Sequence, residues 1–130
     1  MRRIMAIALP LLLAMPAVAQ ERNGDDDAQA EESDIGSGMA SYYGRELAGN
    51  RTASGEAFNP DDLTCAHRTL AFGTRIRVTN LANGKSVIVR VNDRGPWGRG
   101  RVIDISQAAA KQIGMHRTGT AKVRMTLVDD

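Results

Sequence analysis

Residues 75–96 read RIRVTNLANGKSVIVRVNDRGP and contain the clearest secondary-structure signals of the sequence. Polar and apolar residues alternate over 75–79, which is typical of a strand with one buried face. Asn83-Gly84 is a strong signal for a hairpin turn, because both residues tolerate the backbone angles that a tight turn needs. Residues 86–91 are mostly β-branched and form the return strand. The stretch therefore predicts an antiparallel hairpin.

The hairpin ends on the sequence VNDRGP at residues 91–96. Asp93 follows the β-branched run directly, and Gly95-Pro96 stiffens the exit, since proline fixes its own φ and restricts the residue before it. One interpretation is a turn with a solvated carboxylate. The other is a catalytic acid held at a strand end, because scaffolded segments often carry function. These residues alone favour neither interpretation.

Other short elements surround the hairpin. Local patterns predict a strand at 39–43, a Gly-rich loop at 44–55, a short helix at 59–66, a strand at 101–105, a helix from Ser106 to Gly114 and a strand at 121–128. Many short strands with one or two short helices predict a mainly β fold, in the form of a small closed barrel.

The first 37 residues differ from the rest. Residues 1–19 combine two arginines, an apolar run and small residues before a cleavage site, which predicts a signal peptide for export. A membrane anchor is the alternative, but the apolar run 4–18 is shorter than the roughly 20 residues that span a bilayer. Residues 20–37 carry seven acids and little apolar content, so we expect a disordered acidic leader. The folded domain is then predicted at 38–130, without a lipid anchor.

Charge is segregated along the chain. The whole sequence has 17 basic and 15 acidic residues, and removal of Arg2 and Arg3 with a signal peptide makes the two numbers equal. From residue 38 onward, 14 basic residues stand against 8 acidic ones. A basic domain favours an anionic polymer or surface as partner. No nucleic-acid-binding motif is present, so we expect no nucleic-acid partner.

One cysteine and two histidines limit the metal and redox chemistry of the sequence. Cys65 lies between small or apolar neighbours, which favours a buried apolar role over a nucleophile. Two histidines and one cysteine do not supply a zinc ligand set, so we expect neither a metal nor a cofactor. An exported domain without disulfides is stabilised by packing alone.

Acid–base chemistry needs a proton carrier held at a fixed place. Besides Asp93, the candidates are Glu56 in TASGE, His67 in TCAHRTL and Asp104 in RVIDIS. Glu56 reads equally as an exposed loop acid, and a single histidine is more often structural. Asp104 alternates with two isoleucines and so faces away from them. It is either a second carboxylate or half of an ion pair, with Arg94 as a candidate partner.

Aromatic residues are few, and only one is expected to be exposed in a cleft. Trp97 follows Gly95-Pro96 directly, and an indole ring in that position can stack on a sugar ring. Phe58 and Phe72 are expected in the core. Asn92, beside the acid candidate Asp93, can donate a side-chain hydrogen bond.

Several motifs in one order resemble a known family. They are GMASYYG at 38–44, TASGEAF at 52–58, TCAHRTLAFGTRIRVTNLANGKSVIVRVNDRGP at 64–96 and RVIDISQAAAKQIG at 101–114. Together they are similar to the RlpA-like family of exported peptidoglycan enzymes, from about residue 38 to the C-terminus. The resemblance implies a six-stranded double-psi β-barrel. It also implies a lytic transglycosylase that cuts glycan strands stripped of stem peptides.

The same resemblance implies roles for residues of this sequence. Asp93 matches the catalytic acid, and His67 and Glu56 match supporting catalytic residues of the same cleft. The residues that we expect to bind substrate are Asn92, Arg94, Trp97, Tyr43 and Asp104. Cys65 and Ala71 depart from the family pattern, which usually has a small residue and a proline there, away from the implied chemistry.

In the implied reaction, a protonated carboxyl group gives its proton to the glycosidic oxygen. The 6-hydroxyl of muramic acid then attacks the sugar and leaves a 1,6-anhydro end, so one residue can act first as acid and then as base. A hydrolase would instead use water and a second carboxylate. The implied setting is cell-wall remodelling or daughter-cell separation, in the periplasm or cell envelope.

Two other classes of function stay open. One is a non-catalytic, expansin-like module that binds cell-wall polysaccharide, and the other is a structural envelope protein. The joint presence of Asp93, His67 and Glu56 favours the enzyme. Peptidoglycan glycan strands are the expected partner, with a divisome or envelope protein as a further candidate. We expect a monomer that does not span the membrane.

Overall fold

Residues 32–129 are described by a computed structural model, and they form a closed six-stranded barrel. Its strands are β1 (Glu32–Tyr42), β2 (Thr64–Ala66), β3 (Arg75–Asn80), β4 (Ser86–Asp93), β5 (Arg101–Ile105) and β6 (Thr120–Val128). A 3-10 helix at Arg45–Leu47 follows β1, and helix α1 (Gln107–Gln112) follows β5. The predicted mainly β class, with six strands and short helices, is confirmed.

The strands follow one another around the barrel in the order β1-β5-β2-β4-β3-β6. The pairs β1/β5 and β2/β4 are parallel, and the other four pairs are antiparallel. A parallel pair needs a long crossover between its strands. β2 lies between β4 and β5, and Ala66 is in register with Asp93 on one side and with Asp104 on the other.

The central hairpin forms as the sequence predicts. β3 and β4 pair from Arg75↔Arg90 to Thr79↔Ser86, and Gly84 adopts the positive φ, 78°, that its place in the turn requires. The Asn83 side chain donates to the carbonyl of Ile113 at 3.1 Å. The turn is therefore fixed by its own backbone and by the segment that follows α1.

The inside of the barrel is filled by alternating residues of the strands. Fully buried side chains are Ile76, Val78, Val89, Val91, Ile103, Ile105 and Val123. Burial of each such aliphatic side chain stabilises the fold by about 1.5–3 kcal/mol. Cys65 belongs to the same core with 0% exposure, and burial raises the pKa of its thiol well above the ordinary range. The predicted apolar role of Cys65 is confirmed.

Helix α1 closes one side of this core and begins at the predicted cap. The Ser106 hydroxyl accepts from the amide of Ala109 at 3.2 Å and donates to the carbonyl of Asp62 at 2.6 Å. Gly114 follows the helix with a φ of 73°. The cap therefore starts the helix and also attaches it to the segment before β2.

The predicted helix at 59–66 is wrong. The Asp61 amide donates to the Asn59 side chain at 2.9 Å, and the Asp62 amide donates to the Asn59 carbonyl at 3.1 Å, which makes a turn. Residues 64–66 are β2, paired on both edges. The pairing of β2 with two neighbouring strands outweighs the local helix-start signal. The strand itself has only three residues, so it leaves little sequence pattern from which it could be predicted.

The predicted start of the folded domain at residue 38 is also too late. Residues 32–37, assigned to the acidic leader, belong to β1 and pair with β6. Glu32 forms an ion pair with Arg77 at 2.8 Å, and Asp34 forms one with Arg124 at 2.7 Å. These two acids are paired with arginines that are distant in sequence. The local charge of the segment therefore led to the wrong prediction that it is disordered.

The predicted signal peptide, residues 1–19, lies outside the described residues, as does the leader up to residue 31. Within residues 32–129, no helix is long and apolar enough to cross a membrane.

Candidate active site

Asp93 lies at the end of β4, in the strand-end setting that the sequence predicts. Its Oδ1 atom accepts hydrogen bonds from the backbone amides of Ala53 and Arg94, both at 2.9 Å. Its Oδ2 atom accepts from the phenol hydroxyl of Tyr43 at 3.3 Å. Three donors from three segments of the chain fix the carboxyl group, and none of the three donor groups carries a formal charge.

The segment 51–57 folds into a tight loop beside β4. An isolated antiparallel bridge between Arg51 and Ala57 joins its two ends. The Ser54 amide donates to the Asn92 carbonyl at 3.1 Å. Backbone contacts therefore attach this loop to the end of β4, and that attachment brings one of its amides to the carboxyl group.

Tyr43 reaches the same carboxyl group from the end of β1. Its ring packs edge-on against Phe58, with ring centroids 4.9 Å apart and planes at 70°. Burial, followed by the negative charges of Asp93 and Asp104, raises the pKa of the Tyr43 hydroxyl well above its ordinary range. Tyr43 therefore stays protonated and presents an O–H group to Asp93.

A cleft of about 150 Å³ opens at Asp93. Its walls are formed by Tyr43, Leu47, Asn50, Arg51, Thr52 and Phe58. Phe58 is 4% exposed, so its predicted burial is confirmed, although its ring also forms part of the cleft wall. The cleft thus combines one acid, one arginine and an aromatic wall.

Glu56 is held close to the end of β4 by two side chains. Its carboxylate forms an ion pair with Arg90 at 2.6 Å and accepts from the Asn92 amide group at 3.1 Å. The hydrogen bond from Arg90, followed by that from Asn92, lowers the pKa of Glu56 below its ordinary value. Glu56 is therefore ionised at neutral pH and is not a proton donor there, and its partners Arg90 and Asn92 hold it near the end of β4.

His67 is joined to Asp93 through the backbone, because its amide donates to the Asp93 carbonyl at 3.1 Å. The His67 Nδ1 atom accepts from the amides of Thr69 and Leu70, each at 3.2 Å. Burial, followed by the charges of Arg94 and Arg68, lowers the pKa of His67. The ring is therefore neutral near pH 7 and carries its proton on Nε2.

The imidazole ring of His67 lines a different cavity from the one at Asp93. This second cavity has a volume of about 260 Å³, and His67 shares it with Ile35, Arg68, Thr69, Val102 and Met125. The structure brings His67 beside Asp93 along the sheet, but no hydrogen bond or ion pair joins their side chains.

Arg94 supports the loop that carries His67. Its guanidinium donates to the carbonyls of His67 at 3.1 Å and Leu70 at 2.8 Å, and it lies 4.2 Å from the centre of the Phe72 ring. Phe72 is 43% exposed, so its predicted place in the core is wrong. A guanidinium stacked on its face stabilises the ring at the surface instead.

Asp104 is the second carboxylate on this part of the sheet. It accepts from the Ser41 hydroxyl and forms an ion pair with Arg101 at 3.1 Å. The candidate pairing of Asp104 with Arg94 is therefore wrong, since Arg94 binds backbone carbonyls. As predicted, Asp104 faces away from the buried side chains of Ile103 and Ile105.

Trp97 is 73% exposed on the loop after β4, which confirms its predicted exposure, but it lines neither of the two cavities described above, so its predicted place in a cleft is not borne out. Among residues 32–129, no three His, Cys, Asp or Glu side chains are arranged to hold a metal ion. Sequence reasoning missed the Ala53 amide and Arg51 as parts of the site. The signal that could have found them is the TASGE segment, which was singled out for Glu56 alone.

Comparison with known proteins agrees with this geometry. A family model described as lytic transglycolase matches residues 35–125. The chain is 51% identical over 129 residues to a Synechocystis protein named "Probable endolytic peptidoglycan transglycosylase RlpA", covering 98% of this chain and 40% of the relative. It is 54% identical over 92 residues to "Endolytic peptidoglycan transglycosylase RlpA" of Pseudomonas aeruginosa, covering 71% of this chain and 27% of the relative. The chain thus spans less than half the length of these relatives.

Solved structures share the fold. Streptomyces papain inhibitor matches with a TM-score of 0.60 at 20% identity, over 75% of this chain and 96% of the inhibitor. The expansin of Clavibacter michiganensis matches with a TM-score of 0.60 at 23% identity, over 73% of this chain and 50% of the expansin. At these identities the likeness concerns the fold alone, and it agrees with the predicted double-psi β-barrel. With the family match over residues 35–125, the chain belongs to the lytic transglycolase family, whose relatives here carry the name RlpA.

Proposed function

We propose that this chain is an exported endolytic lytic transglycosylase of peptidoglycan. It cuts glycan strands that are poor in stem peptides and leaves 1,6-anhydromuramic acid ends, in cell-wall remodelling or daughter-cell separation. The observation that carries the proposal is the setting of Asp93, a cleft carboxyl group held only by uncharged donors. The names of the family relatives support the same activity.

The hydrogen bonds of Asp93 indicate which oxygen carries the proton. Oδ1 already accepts hydrogen bonds from two amide N–H groups, and an amide N–H can only donate, so neither could accept a hydrogen bond from a protonated Oδ1. Oδ2 meets the hydroxyl of Tyr43, which can donate to a carboxylate and can rotate to accept from a carboxylic acid. Oδ2 is therefore the donor atom of the acid, and Tyr43 is its partner in both protonation states.

The reaction then runs in two proton transfers through one carboxyl group. Asp93 gives the Oδ2 proton to the glycosidic oxygen as the bond from that oxygen to the muramic acid C1 breaks. The muramic acid 6-hydroxyl forms a bond to C1, and its proton returns to the Asp93 carboxylate. The carboxyl group ends as it began, so no second carboxylate has to activate water.

Glu56 and His67 have supporting roles in this proposal. Glu56 keeps its negative charge because Arg90 lowers its pKa, and this charge favours the positive charge that develops on the sugar. His67 offers an Nε2–H donor to the glycan substrate, because its Nδ1 atom already accepts from two backbone amides. Trp97 offers a stacking surface. Asn92 holds Glu56, Arg94 holds the loop of His67, and Asp104 holds Ser41 and Arg101.

Export by residues 1–19 and action outside the cytoplasm belong to the same proposal. The relatives named above act on peptidoglycan, which lies in the cell envelope. In this proposal, the signal peptide and an acidic leader of residues 20–31 precede the folded domain, which begins at residue 32.

The test is mass spectrometry of the products from glycan strands without stem peptides. Wild type and Asp93→Asn are compared, because asparagine keeps an Oδ1 acceptor for the two amides. Anhydro-ended fragments from wild type alone are the expected result. The matched control is Asp61→Asn, a surface aspartate whose side chain is 67% exposed and pairs with Arg45.

Other outcomes replace this proposal by a different one. Intact strands with retained binding in both proteins would indicate a wall-binding barrel without activity. Reducing ends in place of anhydro ends would indicate a hydrolase.

A further inference from the structure

Arg51 lies on the wall of the Asp93 cleft and has no part in the reaction above. It is exposed, and its Nη1 atom donates to the carbonyl of Gly55 at 2.7 Å. The ion pairs described between residues 32 and 129 use other arginines, namely Arg45, Arg77, Arg90, Arg101 and Arg124. A cation on a cleft wall without a carboxylate partner is available to a ligand.

The backbone fixes the position of Arg51 relative to Asp93. Arg51 forms the bridge with Ala57 that closes the loop. Two residues further on, the amide of Ala53 binds Asp93 Oδ1 at 2.9 Å. The loop that holds the acid therefore also carries the cation. Both side chains line the same cleft of about 150 Å³, and no ion pair joins them, so a ligand in the cleft can contact both.

The hydrogen bond to Gly55 also orients the guanidinium group. An arginine has five N–H donors, and the Gly55 carbonyl uses one of them. The remaining donors include a pair that matches the two oxygens of a carboxylate. Asn50, next in sequence and on the same wall, adds an amide group for a neutral part of the ligand.

We propose that Arg51 binds the free carboxylate of the lactyl ether on muramic acid, and thereby selects strands that lack stem peptides. The inference rests on the proposed function. In such a strand this carboxylate is negative, whereas in a peptide-bearing strand the same carbon is an uncharged amide. An arginine forms an ion pair with the carboxylate but not with the amide. One side chain can therefore distinguish strands without a stem peptide from strands that carry one.

The experiment compares two substrates that differ only at this group. Glycan strands without stem peptides are used as such, or after conversion of their lactyl carboxylates to methylamides. Values of kcat/KM are measured for wild type, Arg51→Gln and Arg51→Lys. The control is Arg117→Gln, an exposed arginine outside the cleft. Thermal melting of each variant checks that it is folded.

Wild type is expected to prefer the free strands. Arg51→Gln lowers kcat/KM on free strands about tenfold to a hundredfold, as expected for loss of a hydrogen-bonded charge, and leaves the value on amidated strands unchanged. Arg51→Lys retains part of the preference, since it keeps the charge but loses the paired donors. Higher salt weakens the wild-type preference, and Arg117→Gln behaves as wild type.

Three results overturn the inference. Equal loss on both substrates in a folded Arg51→Gln variant would make Arg51 a structural residue. Equal cutting of both substrates by wild type would remove carboxylate recognition while the proposed function stands. Failure of wild type to cut either substrate would overturn the proposed function and this inference with it.

Discussion

Asp93 and Asp104 lie on the two strands that flank β2, and both are in register with Ala66. Their partners differ. Asp104 is paired with the guanidinium of Arg101 and with a serine hydroxyl, whereas Asp93 meets two amides and a phenol. The Asp104 side chain is only 15% exposed, whereas Asp93 opens into the cleft. Equivalent places in one sheet therefore hold an ion-paired carboxylate and a cleft carboxyl group with uncharged partners, which is the group proposed above as the acid.

Since their strand positions are equivalent, the hydrogen-bond and ion-pair partners of the two carboxyl groups determine which of them is suited to proton transfer. A guanidinium only donates, so the pair of Asp104 with Arg101 is complete when both are charged. A phenol can donate or accept a hydrogen bond, so Tyr43 can stay hydrogen-bonded to Asp93 whether the carboxyl group is protonated or ionised. The same rule separates Asp93 from Glu56, whose partner is also an arginine.

The strongest test of this comparison exchanges the two carboxyl groups for amides. Asp93→Asn is expected to lower the rate of anhydro-product formation about 10²–10⁴-fold, the usual contribution of a general acid. Asp104→Asn keeps an acceptor for Ser41 and should change the rate less than about tenfold, because only a partly exposed ion pair is lost. Initial rates of both variants, measured on the same glycan strands, check this. Similar losses in both would contradict the comparison.

Removal of the phenol hydroxyl tests the second half of the comparison. Tyr43→Phe keeps the ring that packs on Phe58 but removes the O–H partner of Asp93 Oδ2. We expect the rate to fall about tenfold, the value of one hydrogen bond to a charged group, with the melting temperature nearly unchanged. Because the raised pKa keeps this hydroxyl protonated, the wild-type activity should show no alkaline limb from Tyr43 near neutral pH. An unchanged rate in Tyr43→Phe would exclude the hydroxyl as a partner of the acid.

The smallest expected effect concerns the arginine-paired Glu56. Its pKa is lowered in the folded state, so its ion pair stabilises the fold above the ordinary glutamate pKa and is lost as the pH falls through the folded-state pKa. The pair is partly exposed, with 41% of each side chain accessible, so Glu56→Gln should cost less than about 1 kcal/mol at pH 7. The difference from wild type should begin to shrink as the pH falls below the ordinary glutamate pKa, about 4.3, and should vanish only below the lower folded-state pKa.

Urea unfolding at neutral and acid pH measures this difference. Asp61→Asn, which removes the charge of another exposed ion pair, again serves as the surface control. A destabilisation by Glu56→Gln that persists in acid would mean that the carboxyl group stabilises the fold without its charge.

The parts of the fold that the sequence predicts are those with local signals. Asn83-Gly84 sets the hairpin, and Ser106 sets the start of α1, because each acts on residues only a few positions away. β2 is different, since its three residues are strand only through their pairing with β4 and β5. Residues 32–37 are similar, because the arginines that match their acids lie on β3 and β6.

The candidate site divides in the same way. Asp93 and the exposed Trp97 follow from the sequence around them. The amide of Ala53 does not, because it meets Asp93 across 40 positions of sequence. The partners of Arg94 and the exposure of Phe72 were also missed, since both depend on how the loop before β3 folds onto the loop after β4.

The pairing of β1 with β6 has a consequence for how the chain folds. These strands are the first and last of the barrel, and Glu32 is in register with Val128. While residues 120–128 are still inside the ribosome, both β1 and β3 have an unpaired edge, because β6 lies between them in the barrel. Long-range closure of this kind makes folding slow relative to a helical protein of the same size. Closure of the barrel therefore requires the last strand to have been synthesised.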